Sequence, residues 1–335
     1  MAAVSYLHLR NDDLHETGKT LGRGAYGEVV EVVYLGTPCA AKRIHPILEE
    51  SGGRLEEGFR RECETWSRLR HPNVVQLLGL LYKPSASSKL PMIVMEKMDC
   101  SLRQFVETNK RETIPLYVKA DILHQVAQGL VYLHGQRPPV VHRDLSPNNI
   151  LINLGSMTAK LSDFGVAKFQ IHQASRMTSL PGTPTFMPPE TLPGAQPPAK
   201  GYNDRIDVFS YGGVVICTVT HEWPEPVPPV AKKGGKLVAL NEIERRQRYL
   251  DLFTAEEKTC FLGLVEHCLE YDPVDRPTSQ KMMATLQKVK GAHPSQSYVH
   301  LLKVRVLTSF CNHVWYVRKV KAEKEEGDAS TYCTD

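Results

Sequence analysis

The hydrophobic period of this chain changes once, near Glu96–Ser101, and that change constrains the fold more than any other feature of the sequence. Before it, residues 17–45 carry β-branched stretches broken by Gly and by the turn Gly36-Thr37-Pro38, and residues 90–96 (LPMIVME) form a second short apolar run. Both read as strands. Between them Phe59, Cys63, Trp66 and Leu69 recur at helical spacing and stop at the breaker His71-Pro72-Asn73. From about residue 114 the period is mainly helical: Leu123, Val126, Ala127, Leu130 and Val131 fall at i, i+3, i+4, i+7 and i+8, with Gly135 as the expected C-cap. Phe261, Leu264, Val265, Cys268 and Leu269 repeat the pattern. The expectation is an α+β fold, a strand-rich part followed by a helix-rich part.

Composition narrows the class. With 335 residues, 23% charged and 41% hydrophobic, the chain is ordinary for a globular protein, and a net charge of +4 is too small to suggest nucleic acid. The eight cysteines show no CxxC pairing, which suits a reducing compartment and speaks against zinc. The start, MAAVSYLHLRNDD, lacks the apolar core of a signal peptide, and the longest apolar run, Val208 to Val219, falls short of the ~20 residues that span a bilayer. A cytoplasmic location without a membrane span is expected.

Gly22-Arg23-Gly24-Ala25-Tyr26-Gly27 matches GxGxxG, a weak signal alone. In dinucleotide-binding folds the glycines open a helix, whereas here Glu28 to Tyr34 is β-rich. A glycine hairpin can lie over phosphates and donate backbone N–H groups without obstruction. Gly18-Lys19-Thr20 resembles the end of a Walker A loop, but the earlier glycine it needs is Asp13. Lys42 closes the next strand and would alone be a solvated lysine. Glu62 shares a helix face with Phe59, Trp66 and Leu69, and a carboxylate on an apolar face requires a cation, so Lys42 is expected as its partner, holding the ammonium against the α- and β-phosphates.

His142-Arg143-Asp144-Leu145-Ser146-Pro147-Asn148-Asn149 fits HRDLxxxN at every defined position. On one loop, Asp144 can accept the hydrogen bond of an incoming hydroxyl while Asn149 supplies an oxygen to Mg²⁺. Asp163-Phe164-Gly165 offers a second carboxylate for the metal.

In this order, over residues ~14–290, these segments resemble the protein kinase superfamily. The resemblance implies a two-lobed fold: an N-lobe at about 14–96, a hinge at about 96–101 and a C-lobe at about 102–290, with ATP and Mg²⁺ in the cleft. It implies a catalytic set of Asp144, Lys42, Glu62, Arg143, Asn149, Asp163 and Thr183, with Asn149 and Asp163 on the metal. It places Leu21, Gly22, Gly24, Gly27, Val29, Ala40, Lys42 and Leu151 around the nucleotide, Met95 as gatekeeper, and the backbones of Glu96 and Met98 on adenine. Leu77, Trp66, Phe164 and His142 would stack as the spine of the active state. Pro188-Pro189-Glu190 occupies the APE position, with Glu190 expected to pair with Arg276, and Asp207 is expected either to brace the catalytic loop or to cap a helix.

Gly182-Thr183-Pro184-Thr185-Phe186 resembles the corresponding segment of serine/threonine kinases, but Ser146 stands where most of those carry Lys. The mixture, with Asp163-Phe164-Gly165-Val166-Ala167-Lys168, is most similar to the tyrosine-kinase-like group. Protein substrates with Ser or Thr acceptors are expected; a dual-specificity or tyrosine kinase, a pseudokinase scaffold and a small-molecule kinase are the alternatives. Ser175, Thr178 and Ser179 are expected to receive an activating phosphate, from an upstream kinase or by autophosphorylation, read by Arg143. Residues 291–335 fall outside the resemblance and form a tail of mixed apolar and charged character.

Overall fold

The computed structural model describes residues 8–24, 27–44, 59, 63–82, 91–163, 184–191, 203–224, 230–233, 236–239 and 251–292. All of them belong to one unit, Met1–His293. The first part is a five-stranded antiparallel sheet of β1 (Leu14–Gly24), β2 (Gly27–Tyr34), β3 (Thr37–Ile44), β4 (Leu77–Leu81) and β5 (Met92–Glu96), ordered β1-β2-β3-β5-β4. Alternation divides its faces. Val30, Val32, Cys39, Ala41 and Val94 join Leu14, Leu81 and Met92 in a core on one side. Cross-strand register then puts Val29 opposite Lys42, and Ala40 opposite Met95, on the other side.

The turn between β2 and β3 is Leu35-Gly36, both with positive φ (48° and 78°), a geometry that matches the twist of the paired strands. Thr37 and Pro38, expected in the turn, therefore belong to β3. Residues 63–68 are helical, and Phe59, Cys63, Trp66 and Leu69 are all buried, so the expected apolar face exists. Segment 73–75 joins the sheet to the second part: Val75 donates to the Leu161 carbonyl (2.8 Å), Leu161 donates to Asn73 O (2.9 Å), and Asn73 Nδ2 donates to Ala159 O (2.9 Å).

The second part is mainly helical: α1 (Leu102–Thr108), α2 (Leu116–His134), α3 (Arg205–Thr220), α4 (Ala255–Glu257), α5 (Gly263–Cys268) and α6 (Ser279–Ala292), with a π-helical stretch Lys258–Leu262 between α4 and α5. Every residue of α3 from Ile206 to Thr220 is buried. The long apolar run of the sequence is thus the central helix of this part, apolar on all sides because other elements surround it. Tyr211 in α3 donates to Leu123 O in α2 at 2.9 Å. No helix among the described residues is long and apolar enough to cross a membrane.

Two small β elements that no sequence period announces complete the fold of the described residues: the sheet β6 (Cys100–Ser101), β7 (Ile150–Asn153) and β8 (Thr158–Leu161), and the hairpin β9 (Val230–Lys233) with β10 (Lys236–Ala239). Gly135 does end α2, but in right-handed conformation (φ −79°), with its N–H on Val131 O. The described cysteines are free. Residues of the expected tail beyond Ala292 lie outside the described residues.

Candidate active site

Asp144 sits on the loop between α2 and β7, and that loop is held by side chains rather than by regular structure. Asp207, fully buried in the first turn of α3, accepts the backbone N–H of His142 (2.8 Å, Oδ2) and of Arg143 (2.8 Å, Oδ1). His134 Nε2 lies 2.9 Å from the same carboxylate. Burial alone would raise the Asp207 pKa, but the His134 hydrogen bond, the electrostatic interaction with that imidazole and the His142 backbone donor outweigh it and hold the acid below its ordinary range. Of the two expected roles for Asp207, the structure gives the bracing one; the residue at the helix cap position is Asp204, whose side chain makes no cap bond. Arg143 has φ 66°, a conformation costly for a side-chain-bearing residue, and its bond to Asp207 helps fix it there.

His142 is completely buried. Its Nδ1 accepts from Asp144 N (3.3 Å), so the proton resides on Nε2, which donates to Ser162 O (2.9 Å). One ring therefore links the loop of Asp144 to the residue before Asp163. Asn149 adds a second link: its Nδ2 donates to Asp144 O at 2.8 Å, and Ser162 N donates to Asn149 O at 2.9 Å. With the amide nitrogen committed to the backbone, the carboxamide oxygen of Asn149 is the end that remains to serve as a ligand.

Asp163 follows β8 and also has a left-handed backbone, φ 56°. Lys42 Nζ lies 2.5 Å from its Oδ1, across the two parts of the molecule, with the Lys42 side chain 11% exposed. Glu62, the expected partner of Lys42, lies outside the described residues. So do Phe164, Thr183 and the hydroxyls Ser175, Thr178 and Ser179.

The fit to a phosphorylated nucleotide can be tested on the glycine hairpin and the oxygens below it. Gly24 pairs with Gly27 at the end of β1 and β2. Among the described residues, a methyl group on Gly22 would meet no atom within 4 Å, so none of their packing demands glycine there. A bare backbone facing open space suits close approach of a ligand. The donors Asn149 and Asp163 are one amide oxygen and one carboxylate, a hard set that suits a magnesium ion completing its shell with phosphates and water.

Behind this site the chain passes from β5 into the linking segment at Glu96. Glu96 N donates to Gln76 O (3.0 Å), Gln76 N donates to Glu96 Oε1 (2.7 Å), and both Glu96 oxygens lie 2.7 Å from Lys160 Nζ. The ion pair joins residues 64 apart in the sequence, so no local pattern announces it. Met95 and Met98 are buried, Ala40 is 6% exposed, and Leu21, Val29 and Leu151 are partly exposed. Leu77, Trp66 and His142 are buried, as their expected stacking requires.

The segment 184–191 is anchored to α3. Ser210 Oγ donates to Phe186 O (2.8 Å), and Gly213 lies so close to the Phe186 ring that a Cβ would come within 2.8 Å of it. Asp207, Ser210 and Gly213 are spaced by three along one stripe of the helix. A single helix thereby fixes both the loop that carries Asp144 and the segment that carries Phe186. Glu190 is paired with Arg276, as expected, and the pair is buried.

The sequence profile of the family "Protein kinase domain" matches residues 15–286. In Dictyostelium discoideum, the chain is 30% identical over 272 residues to "Probable serine/threonine-protein kinase kinX", covering 81% of this chain and 23% of that protein. It is 31% identical to "Dual specificity protein kinase splA" of the same organism, over 82% of this chain and 11% of the relative. It is 29% identical to "Serine/threonine-protein kinase VIK" of Arabidopsis thaliana, over 83% and 60% of the two chains. The chain thus spans less than two thirds of each of these relatives. A five-stranded antiparallel sheet over a helical body, a loop carrying Asp144 whose His142 and Arg143 amides are tied to one buried aspartate, and the matched profile lead to one conclusion: the chain belongs to the protein kinase family.

Proposed function

We infer that this chain transfers the γ-phosphoryl group of Mg·ATP to Ser or Thr hydroxyls of protein substrates, with the affinities of the tyrosine-kinase-like group. The observation that carries the reading is the convergence of Lys42, Asp163, Asn149 and Asp144, held through Asn149 Nδ2 on Asp144 O and the Lys42–Asp163 ion pair. In this reading Asp144 accepts the hydroxyl proton, Asn149 and Asp163 hold Mg²⁺, and Lys42 is turned toward the phosphates. Val29, Ala40 and Leu151 enclose the purine, the backbones of Glu96 and Met98 bind its edge, and the glycines from Gly22 to Gly27 cover the phosphates. Magnesium, when bound, neutralises charge on the phosphates and aligns them for in-line transfer. Glu62 and Thr183 complete the catalytic set, and phosphate on Ser175, Thr178 or Ser179 bonds Arg143. The location follows as cytoplasmic and the domain limits as ~14–290.

Serine/threonine use is supported by the Gly182-Thr183 segment and by the names of two of the relatives, while splA is named for dual specificity. Presence of Lys42, Asp144, Asn149 and Asp163 together disfavours the pseudokinase alternative. Incubation with labelled ATP, Mg²⁺ and generic protein substrates, followed by phosphoamino-acid analysis, tests the whole reading. Phosphoserine or phosphothreonine is expected, and phosphotyrosine alone would overturn the acceptor assignment.

A further inference from the structure

Next to the Asp144 loop lies a surface that neither the motifs nor the family profile explains. Arg103, in α1, donates its backbone N–H to Pro147 O (3.0 Å), which sets α1 against the loop three residues beyond the base. Its guanidinium lies 4.7 Å over the ring of Trp223, just past the end of α3. Trp223 in turn meets Phe186 edge-on, with ring centroids 6.2 Å apart. Because α3 fixes both Phe186 and the loop of Asp144, the exposed Arg103–Trp223 pair, resting on the buried Pro147 and Phe186, is held beside the loop that carries Asp144.

The indole remains 38% exposed with the guanidinium on its face, and the Arg103 side chain is itself 44% exposed. The pair therefore presents a flat apolar ring beside a cation. Glu107 holds only Arg103 Nε, at 2.7 Å, and among the described residues neither terminal nitrogen of this guanidinium has an acceptor. A guanidinium stacked on an indole keeps its in-plane donors in a fixed fork, the geometry that matches a carboxylate. We propose that Arg103 and Trp223 read the acceptor peptide beside the phosphorylated hydroxyl and favour an acidic side chain there. This deepens the kinase reading and rests on it: Arg103 sets which protein segments are used, while the reacting atoms belong to Asp144 and the nucleotide.

The test compares two pools of serine-containing peptides, identical except that the positions flanking serine carry Glu in one and Lys in the other. Each is assayed with the full chain for kcat/KM, and KM for ATP is measured in parallel. Wild type is expected to favour the Glu pool by about fivefold, the upper end for a solvent-exposed ion pair. Arg103→Ala should abolish the preference, Arg103→Glu should turn it toward the Lys pool, and Glu107→Ala, which removes the acceptor of Nε and so frees a further donor, should sharpen it; KM for ATP should not move in any of them. Equal use of the pools by wild type, or a Glu preference surviving in Arg103→Glu, overturns the proposal. Transfer of phosphate to neither protein nor peptide would sink the kinase reading itself, and this proposal with it.

Discussion

The guanidinium of Arg276 grips both carboxylate oxygens of Glu190, at 2.6 and 2.8 Å, across 86 residues of sequence. Its remaining donors reach the carbonyls of Glu270, Arg205 and Tyr271, and its plane lies 4.7 Å from the Phe209 ring. The Arg276 side chain has no exposed surface. Removing one partner leaves the other charge buried and alone, so Glu190→Gln or Arg276→Met should cost about 3–5 kcal/mol in urea unfolding, far more than a surface pair. Arg276→Lys should cost nearly as much, since an ammonium cannot reproduce five directed hydrogen bonds. A loss under 1 kcal/mol in all three variants would show that the pair is not buried in solution.

Asp207 provides a pH-dependent counterpart. Its acid is held below the ordinary value of 3.8, so it binds fewer protons folded than unfolded near that pH. The stabilisation is complete above the ordinary value and is lost as pH falls toward the depressed one. Stability should therefore fall with acidification below about pH 4, with a shallower slope in Asp207→Asn. That variant keeps one acceptor where the loop needs two, and at neutral pH it should unfold about 2–4 kcal/mol more easily. Parallel acid limbs in wild type and variant would remove Asp207 as the source.

Asp144 and Asp163 should respond differently to the same change. Asp144→Asn keeps the shape of the side chain but not its basicity, so turnover should drop by about 10² or more while ATP affinity stays within a few fold. Asp163→Asn removes half of the ion pair with Lys42 and, in the proposed reading, a magnesium oxygen, so Mg·ATP affinity should fall together with turnover. Nucleotide titration of both proteins, alongside turnover, separates the roles; wild-type autophosphorylation by Asp144→Asn would remove it as the base.

What the sequence disclosed, and what it hid, follows from the range of the forces involved. Phe59, Cys63, Trp66 and Leu69 could be read as a buried face because a helix repeats locally, and the strands from Leu14 to Ile44 because alternation and a glycine turn are local too. The acidic loops were legible because their chemistry demands fixed residue types at fixed spacing. Hidden were β6 and the β9–β10 hairpin, whose two to four residues carry no period, and Pro38, whose strand position is decided by the Leu35-Gly36 turn. Also hidden were His134 on Asp207, Lys160 on Glu96 and Arg103 on Trp223. Each joins residues dozens of positions apart, so only the folded chain brings them together.

Gly212 and Gly213 allow the role of α3 as a shared clamp to be tested with two adjacent substitutions. A Cβ on Gly212 would come within 2.9 Å of the Leu269 side chain, and one on Gly213 within 2.8 Å of the Phe186 ring. Both alanine variants overpack a buried helix by about the same amount, and each should lose about 1–3 kcal/mol of stability. Their functional effects should differ. Leu269 follows α5, with its N–H on Val265 O, whereas Phe186 accepts from Ser210, three residues after the Asp207 that holds the loop of Asp144, and in the proposed reading borders the acceptor peptide. Gly213→Ala should therefore raise KM for a peptide substrate severalfold with KM for ATP unchanged, while Gly212→Ala leaves both constants near wild type. Equal shifts in peptide KM for the two variants would mean that Phe186 does not transmit the displacement, and that α3 supports the two segments independently.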